Sequence, residues 1–164
     1  MNHSNIKHAP KHKQGALKTL ELWAGAYRES VGPAAEDCVV TLHSVLAQKM
    51  LKPSSGELLV ELLEILEGLC ADPITISCAV LHVAGEGGGQ VDGVVEVRPG
   101  KVRKQYAELK KLKLYESDSS LSITKRSAEG LRRLLLALVK DVRVVMIDLA
   151  WQLVLLRHAP ADQE

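Results

Sequence analysis

His82 ends the apolar run Ile76–His82, "ISCAVLH", and Glu86 follows four residues later, one helical turn on. An imidazole at a helix end with an acid one turn away can hold a metal or move a proton. The residue after His82 is Val83, which can do neither, and a glycine-rich break, "GEGGG" (Gly85–Gly89), comes next. That break invites a phosphate-loop reading, but such a loop needs a strand before it and Gly-Lys-Ser/Thr after it. Here a helical run precedes, and Gln90 and Val91 follow, so the glycines read as a flexible connector. A second candidate is the basic run Lys101, Arg103, Lys104, Lys110, Lys111 and Lys113, which could hold a polyphosphate or RNA. Lysines on the wet face of an amphipathic helix are more simply solubilising. Cys38, Cys70 and Cys78 are odd in number and set in apolar helical context, which reads as reduced core residues rather than disulfides or zinc ligands. There is no Gly-x-Ser-x-Gly and no cysteine with an evident histidine partner, so nucleophilic catalysis has no support.

These residues must be positioned by helices. The 164 residues are 46% apolar but only 3% aromatic, with no Phe, so the core has to be Leu, Val, Ile and Ala. Length allows one domain with a single core. A net charge of +1 gives no general attraction to nucleic acid. No apolar run is long enough to span a membrane and no signal peptide is evident, so a cytoplasmic location is expected.

Residues 1–14 are polar and basic, including His3, His8 and His12, and read as a flexible start. Residues 15–160 read as one helical domain. "GALKTLELWAGAYRES" places Leu17, Leu20, Trp23, Ala24 and Tyr27 on one face. A helix from Pro33 to Met50 follows, with Cys38, Leu42, Val45 and Leu46 inward and His43 outward. Ser54 or Ser55 is placed to cap "ELLVELLEILEGLC", and Asp72 with Pro73 to open "ITISCAVLH". Residues 84–100 read as a loop, since "VVEV" has no partner strand. Three more helices complete the chain: "KVRKQYAELKKLKLYES" with Val102, Tyr106, Leu109 and Leu112 inward, "TKRSAEGLRRLLLALVK", and "DVRVVMIDLAWQLVLLRH". The last is apolar almost all round and is expected at the centre of the core. The fold class is all-α, a bundle of about seven helices without a substantial sheet.

In that order, "AEGLRRLLLALVKDVRVVMIDLAWQLVLLR" (Ala128–Arg157) resembles the end of the HD hydrolase domain of the RelA/SpoT family, the ppGpp synthetases and hydrolases. "DPITISCAVLH" resembles that family's Asp-x-x-Thr-Leu-x-Ala-Ala-Leu-Leu-His-Asp segment, and "VELLEILEGLCAD" the helix before it. The resemblance runs over residues 57–157 and implies an HD-like helical bundle. Active members hold manganese with two histidines and two aspartates, and further acids activate water. Carried over position by position, the first histidine falls on Leu58 and the second on His82, with Val83 for the aspartate beside it. The following Glu-Asp pair becomes Glu86 and Gly87, and the asparagine of the penultimate helix becomes Gly130. Trp151 stands for the last metal aspartate and Gln152 for the arginine after it, while Val154 and Leu155 replace a His-Asn pair.

One ligand of four, His82, is retained, so the resemblance implies no metal site, no cofactor and no catalytic residue, with Trp151 filling the former pocket. Asp141, Arg143 and the Leu149-Ala150 turn remain as scaffold. This is the pattern of the degenerate hydrolase domain of RelA-type GTP pyrophosphokinases. It implies a structural or regulatory domain whose partner is the synthetase domain of a longer chain, from which this sequence would be a piece. Two other readings stand beside it. One is a residual metal-dependent phosphohydrolase using His82 and Glu86, and the other a module in which the pocket and the Lys101–Lys113 face bind a guanine nucleotide without cleaving it.

Overall fold

A computed structural model describes residues 11–116, 128–132, 135–136 and 140–160. Among these the chain is all-α, with no strand. Helix α1 spans Lys11–Val31, a 3-10 turn covers Gly32–Ala35, and α2 spans Glu36–Ala47. Then come α3 (Ser55–Gly68), α4 (Pro73–Glu86), the short α5 (Asp92–Glu96), α6 (Gly100–Glu116) and α7 (Val142–Arg157). Between α6 and α7, residues 128–132, 135–136 and 140 are also helical. The segment "SDSSLS", His3 and His8 lie outside the described residues. Helix α1 begins at Lys11, inside the stretch read as a polar start.

The centre of the bundle is α4, not α7. Every residue from Thr75 to Ala84 is buried, and α4 packs against α2, α3, α6 and α7. Helix α7 buries Val144, Ile147, Ala150, Trp151 and Val154 on one side and leaves Val142, Leu149, Leu153 and Leu156 exposed on the other. An apolar composition all round indicated a central helix, but only one face of α7 meets other described elements.

Both ends of α4 differ in how plainly the sequence encodes them. At its start, the Asp72 carboxylate accepts the Thr75 N–H at 2.8 Å, and Pro73 occupies the first turn. At its end the helix runs to Glu86, four residues beyond the histidine. The glycines then form a closing turn and not a loose connector: Gly88 takes φ +85°, Gly88 N–H bonds Gly85 O, and Gly89 N–H bonds Ala84 O at 3.0 Å. That is the paired 5→2 and 6→1 pattern of a Schellman cap. A Cβ on Gly89 would lie 2.8 Å from Ala84 O and 2.9 Å from Met50 O, so the turn is wedged against the α2–α3 connection. "VVEV" falls largely in the helical turn α5, where Val94 is buried.

The N-termini of α4 and α7 are tied together. Asp141 caps α7 through the Arg143 N–H, and the Arg143 guanidinium bonds both Asp141 oxygens and reaches Asp72 Oδ2 at 3.2 Å. The scaffold pair expected from the sequence is therefore a clamp between two helix starts. Ser54 does not act as a cap: its backbone is helical and its side chain makes no capping bond. Cys38 and Cys78 are buried and free, as read, but Cys70 is exposed in a left-handed turn at φ 56° that ends α3.

Candidate functional site

The last two turns of α4 deliver His82, Gly85 and Glu86 to one wall of a cavity of about 640 Å³. Gly89, Gln90, Val91 and Asp92 form a second wall, and Tyr106, Lys110 and Lys113 of α6 a third. The helical spacing i, i+4, i+7 sets those three α6 residues on one face. His82 is 5% exposed, and its Nε2 finds no hydrogen-bond partner among the described residues. Burial, helped by the nearby Lys113 charge, pulls the His82 pKa down to about 3, so the imidazole is neutral at neutral pH. Tyr106 is 5% exposed, and burial pushes its phenol up to about 12, leaving it an intact O–H.

Behind His82 stands Trp151, with ring centroids 5.9 Å apart and planes perpendicular. Its indole Nε1 is also buried without a hydrogen-bond partner among the described residues. Lys113 lies on the inner side as well. Its ammonium sits 2.9 Å from Asp148 Oδ1 of α7, off the line of a good hydrogen bond, with side-chain exposures of 18% and 3%. Breaking a buried pair of this kind by removing one partner typically costs about 3–5 kcal/mol, because the other charge is left alone.

Of the positions carried over from the family pattern, the structure brings three together: His82 and Glu86 line the cavity, and Trp151 packs on His82. Val83 and Val154 are core residues, and Leu58 is half-buried against the core. Gly87 ends α4 beside Lys52, Gln152 is partly exposed, and Gly130 and Leu155 are exposed. None of these seven lines the cavity. Asp148 carries no role of its own in the sequence reading, and Lys113 enters it only as one member of the basic run. That run reads as a solubilising face, yet Lys113 follows the inward Leu109 by four residues and Tyr106 by seven, which turns it inward. Asp148 was detectable as the one acid within the apolar α7.

The donors present do not fit a divalent cation. Among the described residues no three His, Cys, Asp or Glu side chains converge as a ligand set. His82 offers one nitrogen, Trp151 offers no lone pair, and Lys113 places a positive charge where a metal ion would meet it. The remaining lysines spread differently: Lys101 and Lys104 line a separate cleft with Lys140, Arg143 and three acids, Asp72, Glu108 and Asp141. The basic run is thus not one continuous face. No helix among the described residues is long and apolar enough to cross a membrane.

No curated protein and no solved structure matches the chain significantly. A family model described as HD domain does, over residues 41–164. The matched region takes in α3, α4 with its histidine end, and every later helix, the elements that build the cavity and its back wall. It covers most of the sequence and agrees with the all-helical fold. The chain therefore belongs to the HD domain family.

Proposed function

We propose that this is a non-hydrolytic HD-type domain with a structural or regulatory role, of the kind that accompanies the synthetase domain in RelA-like GTP pyrophosphokinases. The observation that carries the first half is the packing of Trp151 on His82, with the Lys113 ammonium beside them. A metal-activated water needs several lone-pair donors around one ion, and what surrounds His82 is an indole and an ammonium. The second half is supported by the resemblance over residues 57–157. A regulatory role in ppGpp metabolism and the stringent response would work by contacts that differ between active and inactive synthetase states.

Manganese and ppGpp added to the domain are expected to give no release of pyrophosphate. Metal-dependent turnover lost in His82→Ala would establish the altered-site phosphohydrolase, since His82 and Glu86 do share the cavity. A synthetase domain of that family, joined to this one, is expected to change its rate of pyrophosphoryl transfer; an unchanged rate would remove the regulatory role.

A further inference from the structure

The acids and the donors of the cavity are not mixed evenly. Glu86 is exposed and the Asp92 side chain is 83% exposed, so both carboxylates belong to the rim. Deeper in lie His82, Tyr106 and Lys113, and each can donate a hydrogen bond: a ring N–H, a phenol O–H and an ammonium. Lys110 stands between the two levels, 3.8 Å from Asp92 and near the Tyr106 ring, without a close hydrogen bond to either. Gly85 and Gly89 line this space. A Cβ on Gly85 would come within 3.2 Å of the Tyr106 hydroxyl, so the glycine leaves that O–H its place.

We propose that the cavity at His82 binds a small ligand through a single oxyanion head group, seated against Tyr106, His82 and Lys113, with a donor-bearing remainder facing Glu86 and Asp92. The proposal deepens the non-hydrolytic reading of the same cavity and rests on its being free of a divalent cation. Polar atoms buried without partners are uncommon, and His82 Nε2, shut from solvent beside the cavity, would gain a partner in a ligand oxygen toward which the ring turns. Lys113 is engaged with Asp148, and its contribution is positive potential at the floor, the same field that helps hold His82 neutral. Charge-assisted donation to an oxyanion is stronger than a neutral hydrogen bond. The rim acids repel a second phosphate and accept N–H or O–H groups. Together they favour a monoanionic or phosphomonoester head with an amine or hydroxyl tail over a polyphosphate. At about 640 Å³ the cavity has room for the head group and for a remainder reaching the rim.

The test is titration of the domain with inorganic phosphate, O-phosphoethanolamine and pyrophosphate, followed by amide chemical shifts. Saturable shifts are expected at Gly85, Gly89 and His82, with O-phosphoethanolamine the tightest and a Kd on the order of 1 mM or below. Lys110→Met, at an exposed position, and Tyr106→Phe should each weaken it several-fold while leaving the rest of the spectrum in place. Unchanged affinity in both variants, or pyrophosphate binding tightest, would overturn the proposal. Absence of saturation with and without manganese would overturn it alone and leave the non-hydrolytic reading standing. Binding that appears only after manganese is added would overturn both.

Discussion

His82 shows how one residue type serves opposite ends in different surroundings. In water an imidazole titrates near neutrality, but here burial and the Lys113 charge hold it neutral down to about pH 3. The folded pKa is depressed, so the unfolded chain binds the proton first. Its stabilising contribution is complete above about pH 6.5 and is lost as pH falls from there toward 3. Denaturant midpoints measured against pH should show a slope of up to about 1.4 kcal/mol per pH unit below 6.5 from this residue. His82→Gln should flatten that slope between pH 6.5 and about 4, where carboxylates begin to contribute. His82 itself was legible, because a histidine ending an apolar helical run before a break is a visible pattern. Its environment was not. The Lys113–Asp148 pair joins two distant helices, and a local reading sees only a lysine among lysines and an acid among leucines.

At the scale of the element, the start of α4 is easier to read than its end. Asp72-Pro73 states the beginning of α4 in two residues whose chemistry leaves little choice. The end of the same helix reads as a break at the glycines, whereas they supply the left-handed turn that finishes the helix four residues on. Composition alone does not separate the two, since a loop and a Schellman cap use the same residue. Substitution does. Gly89→Ala should destabilise the domain by about 2–3 kcal/mol, because its Cβ would press on two backbone oxygens. Gly88→Ala meets open space and should cost only about 1 kcal/mol through its positive φ. Equal costs in thermal melts would contradict the close approach at Gly89. Helix α7 was misplaced for a related reason: hydrophobicity all round says that a helix is apolar, and only neighbouring elements say which side is covered.

Across the whole molecule, the bundle is fastened at two ends by different means. At one end the Arg143 clamp joins the starts of α4 and α7, and at the other Glu61 of α3 bonds Arg157 and His158 at the finish of α7. Asp141 is held below the usual carboxylate range by Arg143. Asp72 is held low as well, its Thr75 and Arg143 hydrogen bonds outweighing the effect of burial. Both groups therefore contribute above about pH 4, and the contribution is lost as pH falls through their lowered values. Arg143→Ala should cost about 2 kcal/mol at neutral pH and shrink the acid limb of the stability curve; an unaltered acid limb would show that the clamp adds nothing. The all-α class and the order of most helices followed from spacing, whereas these long-range ties did not, since each joins residues far apart in the chain. The edge contact of Trp151 with His82 also gives the domain an optical asymmetry. One indole lies sealed against the cavity wall, while the other, Trp23, is half-buried and hydrogen-bonded to Glu67 on a different face. Occupancy at His82 should therefore register in the fluorescence of a single tryptophan, with its twin as an internal reference.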